Sequence, residues 1–574
     1  MSDATERSPR VGALGAAFLV LAVLGAIAFS AFVLPPDGTW SGDTGIRVLQ
    51  VETLLRSGSF ATPYLGQPFD PENRWNPLSP RYYAWQASGY FPKFSPAYAV
   101  LSAGVVSALG PRATAIPAAL SLALTAGALW WALTVAGSRF AWAAAPTIIL
   151  LTPLVFYANE LWEHQIATAL TMLGTAALLA AARAAADDEG RWRWVVLGGA
   201  ALGAGLWFRG ELYAFIPAVA AAYLVLFRRA WRSLALGLLT AGLVAAPLLV
   251  IQQALYGRAE GAQVAVDSPL VLRGSGPEVV VTRMLRQWAD TIPGLVVPQG
   301  PSLLWAGAAL VLGAGAVLAC RGRPAGRWLV VAGCATVALL STANLAFRLA
   351  PVDLVASAPL VVAVFLASGQ ELVGWKGVAF RFLGLTALFY LALAFVTAPS
   401  SGGAQHGPRY LLSAYPLLVG CAILAVEDWT RLEDVLLRRV GLAAVGLLAV
   451  GSLLVQAAGL RNLLVVRNQY AAIAAQSAAL PAGPIVTDLW WLPQVIPAEM
   501  TRRPVFLVSD AAGVALLADR LADGGAPAFS FVTSGELVAP VKPPERSSSG
   551  RSIVAGPAEA IPERSLVFAL YRIQ

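Results

Sequence analysis

Charge is scarce in this chain. Of its 574 residues only 13% are Asp, Glu, Lys or Arg, against 57% hydrophobic ones. That balance excludes an ordinary soluble domain, because apolar runs of about 20 residues, long enough to cross a bilayer, recur along most of the length. Cysteine is nearly as rare: Cys320, Cys334 and Cys421 are odd in number and have no metal-ligand spacing, so neither a disulfide framework nor a zinc site follows. Histidine occurs twice, at His164 and His406. The centres of the apolar runs are almost without charge, and no repeat is evident within either half. The first absence counts against a transporter or lipid flippase, the competing class, which places ionisable groups near the membrane midplane and often shows inverted repeats.

A net charge of +8 would suggest nucleic acid in a soluble protein. Here the basic residues sit in short loops between apolar runs and read as topology signals. Val11 to Leu34 form the first span, preceded by Arg7 and Arg10; it is too long for a signal-peptide core, so its N-terminus is expected in the cytoplasm. The loop from Pro35 to Pro92 carries Tyr64, Phe69, Trp75, Tyr82, Tyr83, Trp85, Tyr90 and Phe91, which favour an ordered structure hugging the membrane interface. Pro96 to Leu109 is short for a span and reads as re-entrant or interfacial. If it does not cross, the later loops separate into two sets. One holds Arg139, Arg183, Arg191, Arg193, Arg228, Arg229, Arg232, Arg321, Arg323, Arg327, Lys376, Arg381, Arg431, Arg438 and Arg439. The other holds Arg209, Arg258, Arg273, Arg283, Arg286, Arg348 and Arg409. The first set has more than twice the positive charge and is expected in the cytoplasm, in agreement with the N-terminus.

Further spans are expected near 114–136, 140–158, 165–183, 194–208, 212–227, 233–255, 302–320, 328–347, 353–370, 378–397, 410–426 and 440–460. The sequence thus predicts an all-α polytopic membrane protein of about thirteen transmembrane helices with the C-terminus outside. The joint at 208–212 is either a loop or a kink. The transmembrane domain covers 1–460, with a first extracytoplasmic loop and interfacial helices over 35–113. Residues 461–574 are expected to form a small extracytoplasmic α/β domain. It comprises a juxtamembrane helix over 460–480, strands at Ile485 to Thr487, Val505 to Val508, Phe529 to Val532 and Leu566 to Leu570, and a helix from Ala511 to Leu521 that connects parallel strands. KPPERSSSGRS interrupts this unit as a mobile insertion.

Candidate chemistry gathers at the outer ends of the spans. Asp43 opens an amphipathic segment with Val48, Val51, Leu54 and Leu55 on one face; it fits a working carboxylate just outside the membrane, and also a helix N-cap paired with Arg47. In NELWEHQIATAL, helical spacing puts Glu160, Glu163 and His164 on one side, although capping and solvation are the plainer reading. Lys93 in PKFSP either faces the polar group or snorkels to headgroups. Arg209 and Glu211 either pair with each other or complete a ring of charges. In SSGGAQHGPRYLLSAYPLL, a Gly-rich turn feeds His406, Arg409 and Tyr410 into a span, which builds a cation at the depth of lipid phosphates.

The order of these motifs resembles the GT-C superfamily of polyprenyl-phosphate-dependent glycosyltransferases, whose relatives include aminoarabinose transferases and protein O-mannosyltransferases. The likeness covers about Val11 to Phe227. GLWFRGELYAFIP is similar to the Gly-rich segment between the fifth and sixth spans of those enzymes, with Arg209 in place of their usual lysine, and WEH and HGPRYLL look like motifs of bacterial members. The resemblance implies a hexosyl- or pentosyltransferase of the bacterial cytoplasmic membrane. It would move a sugar from a polyprenyl-phosphate donor to an extracytoplasmic envelope acceptor, with Asp43 as catalytic base and Glu163 or Glu160 as the second acid. Glu163 is favoured because it adjoins His164. The family often has Asp there, so a metal role is not carried over; the sequence requires no cofactor, leaves a divalent cation open, and implies no nucleic-acid partner. A donor of this kind already has a good leaving group, so the site needs one carboxylate to take the acceptor proton and cations to hold the departing phosphate. Arg409 suits the phosphate through two parallel hydrogen bonds, with Lys93, Arg209 and His406 in support and His164, Glu211 and Tyr410 completing the binding set. Direct displacement would invert the anomeric carbon. A non-catalytic scaffold for envelope assembly is a further alternative.

Overall fold

In an apolar solvent a backbone must satisfy its own hydrogen bonds, and the long Ala-, Leu- and Gly-rich runs do so as helices. The computed structural model describes residues 9–80, 82–87, 89–184, 191–259, 302–346, 353–369, 372–397, 406–535, 540–561 and 566–574, with isolated positions 278, 281, 282 and 285. Arg273, Arg283, Arg286 and Arg348 among the loop charges, and residues 400–405 of the histidine-arginine loop, lie outside the described residues. The chain forms two compact units. One comprises Met1–Phe29, Ala115–Val250 and Asp267–Asn462, the other Ser30–Thr114, Ile251–Val266 and Leu463–Gln574.

This is a multi-pass membrane protein, but thirteen spans are not what the structure contains. Seven helices among the described residues are long and apolar enough to cross: Gly15–Val33, Pro111–Val135, His164–Ala184, Arg228–Tyr256, Pro324–Leu345, Gly374–Ala394 and Val435–Ala479. The correction has local causes. The run over 140–158 breaks where Thr152, at φ −128° and ψ 157°, precedes Pro153; a residue before proline avoids the α region, so Ala144–Leu151 ends there and only Leu154–Tyr157 follows. The run over 353–370 splits at Pro359 into the four-residue helix Leu354–Ser357 and a 3-10 segment, Pro359–Ala367. Arg191–Leu206, Leu212–Leu226 and Ala414–Trp429 are helices of 16, 15 and 16 residues, short of the roughly 20 that span a bilayer. The apolar helix Leu304–Cys320 is short as well. The 208–212 joint is a turn between two helices, not a kink. In the other direction, the last span and the juxtamembrane helix are one element, Val435–Ala479, of 45 residues, roughly twice the length the hydrocarbon core needs.

Within the helical unit, His164–Ala184 packs against Ile116–Val135 and Arg191–Leu206, and Leu212–Leu226 against Gly374–Thr397. Its polar residues collect at opposite ends of two helices. Glu163 and His164 stand at the start of His164–Ala184, and Arg409 just before Ala414–Trp429. At the far end of Ala414–Trp429, Lys376, Arg431 and Arg139 converge on Glu427.

The second unit is built on a sheet. Strands β1 (Tyr83–Gln86) and β2 (Gly89–Pro92) make an antiparallel hairpin. Strands β3 (Ile485–Thr487), β4 (Val505–Leu507), β5 (Ala528–Ser534), β6 (Ile553–Ile561) and β7 (Leu566–Ile573) form a five-stranded sheet in the order β4-β3-β5-β7-β6. Strand β3 runs parallel to β4 and β5, the helix Ala511–Asp523 joins β4 to β5, and β7 is antiparallel to β5 and β6. The aromatic loop supplies much of this unit's core: Tyr64 and Phe69 each set a ring edge-on to Phe506 at 6.3 Å, and Trp75 accepts from the Leu507 amide. Large rings bury most when they meet one another, and here they meet the sheet. The segment read as a mobile insertion is held, because Ser549 donates to Asp519 from both its amide and its hydroxyl, at 2.7 and 2.6 Å. Burial works against the Asp519 charge, yet the hydroxyls of Ser547 and Ser549 hold its carboxyl below the ordinary value.

Candidate active site

Two helices of the first unit begin with a glutamate, and one arginine joins them. The helix His164–Ala184 starts one residue after Glu163, whose carbonyl accepts from the Ala167 amide. Glu211 is the N-cap residue of Leu212–Leu226. Negative charge is favoured at both places by the helix dipole. Arg209, on the intervening turn, donates from Nη1 to Glu163 Oε1 at 2.8 Å and from Nε to Glu211 Oε2 at 2.7 Å, and its Nη2 completes a forked pair with Glu211 Oε1. Its side chain is 4% exposed and that of Glu163 1%, so this is a water-poor ion triad. Glu160 is also buried, but it lies in the turn before the helix and not on a helical face shared with Glu163 and His164.

Arg409 enters from the 3-10 turn Arg409–Leu411. Its guanidinium lies 5.6 Å from the Trp162 ring and 5.1 Å from that of Tyr410, and its Nη2 donates to the Tyr410 hydroxyl at 3.3 Å. Arg209 is 5.8 Å from the same Tyr410 ring. The His164 ring packs 5.1 Å from Trp162. A small cleft of about 10 Å³, lined by His164, Thr168, Arg209, Glu211, Tyr390, Arg409, Tyr410 and Ser413, brings half of the sequence-derived set together. Cations flanked by aromatic faces and fixed acids suit an anionic ligand with a planar or ringed neighbour.

His406 is placed differently. Its Nε2 is 2.9 Å from Gln456 Oε1 and its ring packs on Phe156, and it does not line the cleft. Burial pushes the imidazole down to about 4, so it is neutral near pH 7.

Asp43 and Lys93 belong to the second unit. Asp43 sits in the first turn of Gly42–Ser57, whose N-cap is Ser41, so the capping alternative for Asp43 does not hold. Arg47 is buried, stacks 3.6 Å over Phe94 and donates from Nη1 to the Asp43 carbonyl at 2.8 Å, which clamps the turn that bears the carboxylate. The buried face of this helix includes Ile46, Leu49 and Thr53, while Leu55 is 44% exposed. Of the expected stripe, Val51 is buried and Val48 and Leu54 are half-buried, and the buried face is wider than the stripe because the helix packs on Leu492–Val495, Pro497–Met500 and Pro96–Leu109 together. Lys93 lies 5.3 Å from the Tyr82 ring, and the 14-residue helix Pro96–Leu109 begins three residues later. Among the described residues no cluster of three or more His, Cys, Asp or Glu side chains could hold a metal ion.

Sequence reasoning missed Tyr390, Gln456 and Glu427. Tyr390 lies mid-run and carried no signal. Gln456, a lone amide in an apolar helix, and Glu427, a lone acid near the end of one, were visible as polar residues in apolar surroundings.

No family model matches the sequence, and no curated protein does. Solved structures do. One is ArnT from Cupriavidus metallidurans bound to undecaprenyl phosphate, at 13% identity and TM-score 0.51, covering 98% of each chain. The apo form of that protein, at 17% identity, covers 98% of each chain with TM-score 0.44. The Archaeoglobus fulgidus oligosaccharyltransferase, at 12% identity, covers 91% of this chain and 69% of its own with TM-score 0.47. The fold assignment rests on the first: this chain shares the fold of that ArnT structure.

Proposed function

We propose that this protein is a membrane glycosyltransferase that moves a sugar from a polyprenyl-phosphate donor to an acceptor in the cell envelope. The observation that carries the reading is the cleft itself: Arg409 beside aromatic rings, and a Glu163–Arg209–Glu211 triad in which Glu163 and Arg209 are buried, in a fold shared along its whole length with a protein captured on undecaprenyl phosphate. Arg409 contacts the donor phosphate. Arg209, already shared by two carboxylates, fixes the wall of the cleft and contributes little net charge. Asp43, on its clamped turn, accepts the proton of the acceptor hydroxyl. The acceptor oxygen then attacks the anomeric carbon from the face opposite the phosphate, the bond from that carbon to the phosphate oxygen breaks, and polyprenyl phosphate departs with the electron pair. The configuration inverts. On this reading the N-terminus is cytoplasmic, and the site and the sheet-containing unit are extracytoplasmic.

The test uses purified full-length protein in vesicles with a polyprenyl-phosphate sugar. Donor cleavage coupled to transfer is expected, and Asp43→Asn should insert and melt normally while losing roughly 10² to 10⁴ in rate. Movement of the lipid sugar without bond cleavage would make the protein a transporter; full turnover by the Asn variant would remove Asp43 as the base.

A further inference from the structure

One face of the helix Val435–Ala479 carries three residues that its neighbours would not lead one to expect in an apolar run: Ser452, Gln456 and Gly459, at spacings of four and three, so all three look the same way. The first two meet a stretch of irregular backbone. Ser452 Oγ accepts from the Leu360 amide at 3.0 Å, and Gln456 Nε2 donates to the Ser357 carbonyl at 2.7 Å. These two bonds satisfy backbone groups on either side of the break at Ala358–Pro359, which the helix cannot satisfy for itself. The third contact is with His406. Because the Gln456 amide nitrogen is already donating to Ser357, with Ser452 O a second acceptor at 3.2 Å, its Oε1 must accept from the imidazole, and the histidine proton is therefore on Nε2. Gly459 completes the seat: a Cβ there would stand 2.5 Å from the His406 ring.

The seated histidine immediately precedes Gly407, whose φ of 75° lies where glycine is favoured, and Gly407 turns the chain into Pro408 and Arg409. Tyr157 supports the same turn, its hydroxyl donating to the Gly407 carbonyl at 3.4 Å, while the Tyr415 hydroxyl bonds Ser357 Oγ at 2.6 Å and ties the broken stretch to the helix Ala414–Trp429 that follows the turn. We infer that Gln456, with Gly459 and His406, is a positioning device for Arg409: it sets the turn that aims the guanidinium and does not itself touch substrate. The proposal rests on Arg409 as the donor-phosphate contact.

The experiment is a double-mutant cycle on full-length protein in vesicles, read as direct binding of a polyprenyl-phosphate sugar and as donor KM against kcat. Gln456→Ala should weaken donor binding about tenfold to a hundredfold, the scale of a misplaced binding group. In an Arg409→Ala background the same substitution should have almost no further effect. Tyr157→Phe, which keeps the ring and loses only the hydroxyl, should show the same non-additivity with a smaller single effect, and it covers the case in which Gln456→Ala does not fold. Additive effects, or normal donor affinity in both single variants while Arg409→Ala is impaired, would overturn the positioning role. Normal donor affinity in Arg409→Ala itself would instead overturn the reading of Arg409.

Discussion

The two ends of the helical unit treat charge in opposite ways. Around Arg209, which is 4% exposed, two acids hold one cation, Glu163 at 1% exposure and Glu211 at 13%; around Glu427, one acid at 1% exposure gathers three cations, of which Arg139 and Arg431 are about half exposed. The second arrangement desolvates one carboxylate but surrounds it with compensating cations, and its two guanidinium groups, half in water, keep most of their hydration. The first removes three charges from water at once, and such a cluster seldom stabilises a fold relative to an apolar filling. Its presence where a cleft and two helix starts meet is thus better explained by what it holds in place than by what it adds to stability. Chemistry is expected at the end where the fold tolerates expensive charge.

The sharpest way to break this contrast is to delete one arginine at each end. Arg209→Ala leaves the buried Glu163 and the mostly covered Glu211 without their shared partner and should cost about 3–5 kcal/mol, seen as a large loss of thermal stability in detergent. Arg431→Ala at the other end should cost no more than about 1 kcal/mol. Equal losses would dissolve the distinction. Arg409→Ala tests whether the buried end is the working one: donor binding should weaken and the transfer barrier rise by roughly 3–4 kcal/mol while melting stays near wild type. Gly459→Ala is expected to cost roughly 1–3 kcal/mol by pressing a methyl into the His406 ring. Combining it with His406→Ala should recover part of that loss, as measured by melting of the single and double variants.

The smallest effect belongs to a carboxylate held by hydroxyls and not by a closed ion cluster. Asp519 is held below its ordinary value of 3.8, so the stability it lends is full above that value and is lost as pH falls through the lowered one. Proteolysis of the 546–551 segment should therefore quicken only in strong acid for the wild type. In Asp519→Asn it should be fast and nearly independent of pH.

Much of the candidate set was legible because charge is a local property. Asp43, Glu163, Arg209 and Arg409 stand out as charges at the rims of apolar runs. The four expected strands of the second unit and their connecting helix are also present, since alternation and turn residues are short-range signals. The span count failed for a different reason. A hydropathy average runs smoothly through Thr152–Pro153 and Ala358–Pro359, although the proline in each pair ends the helix. His406 looked like a cation and is a neutral, buried spacer. Nothing within several residues of it announces Gln456 and Gly459, which lie on another helix 50 and more residues away.

The solvent this chain folds in, and the side chains able to do chemistry there, follow from the sequence alone, because hydropathy and ionisable groups belong to residues one at a time. Packing decided which of those groups are spent on one another. Glu163 and Arg209 are 46 residues apart and still share a hydrogen bond at 2.8 Å. A buried charge must find a partner wherever the helices bring one, and that is a property of three-dimensional neighbours, not of sequence neighbours.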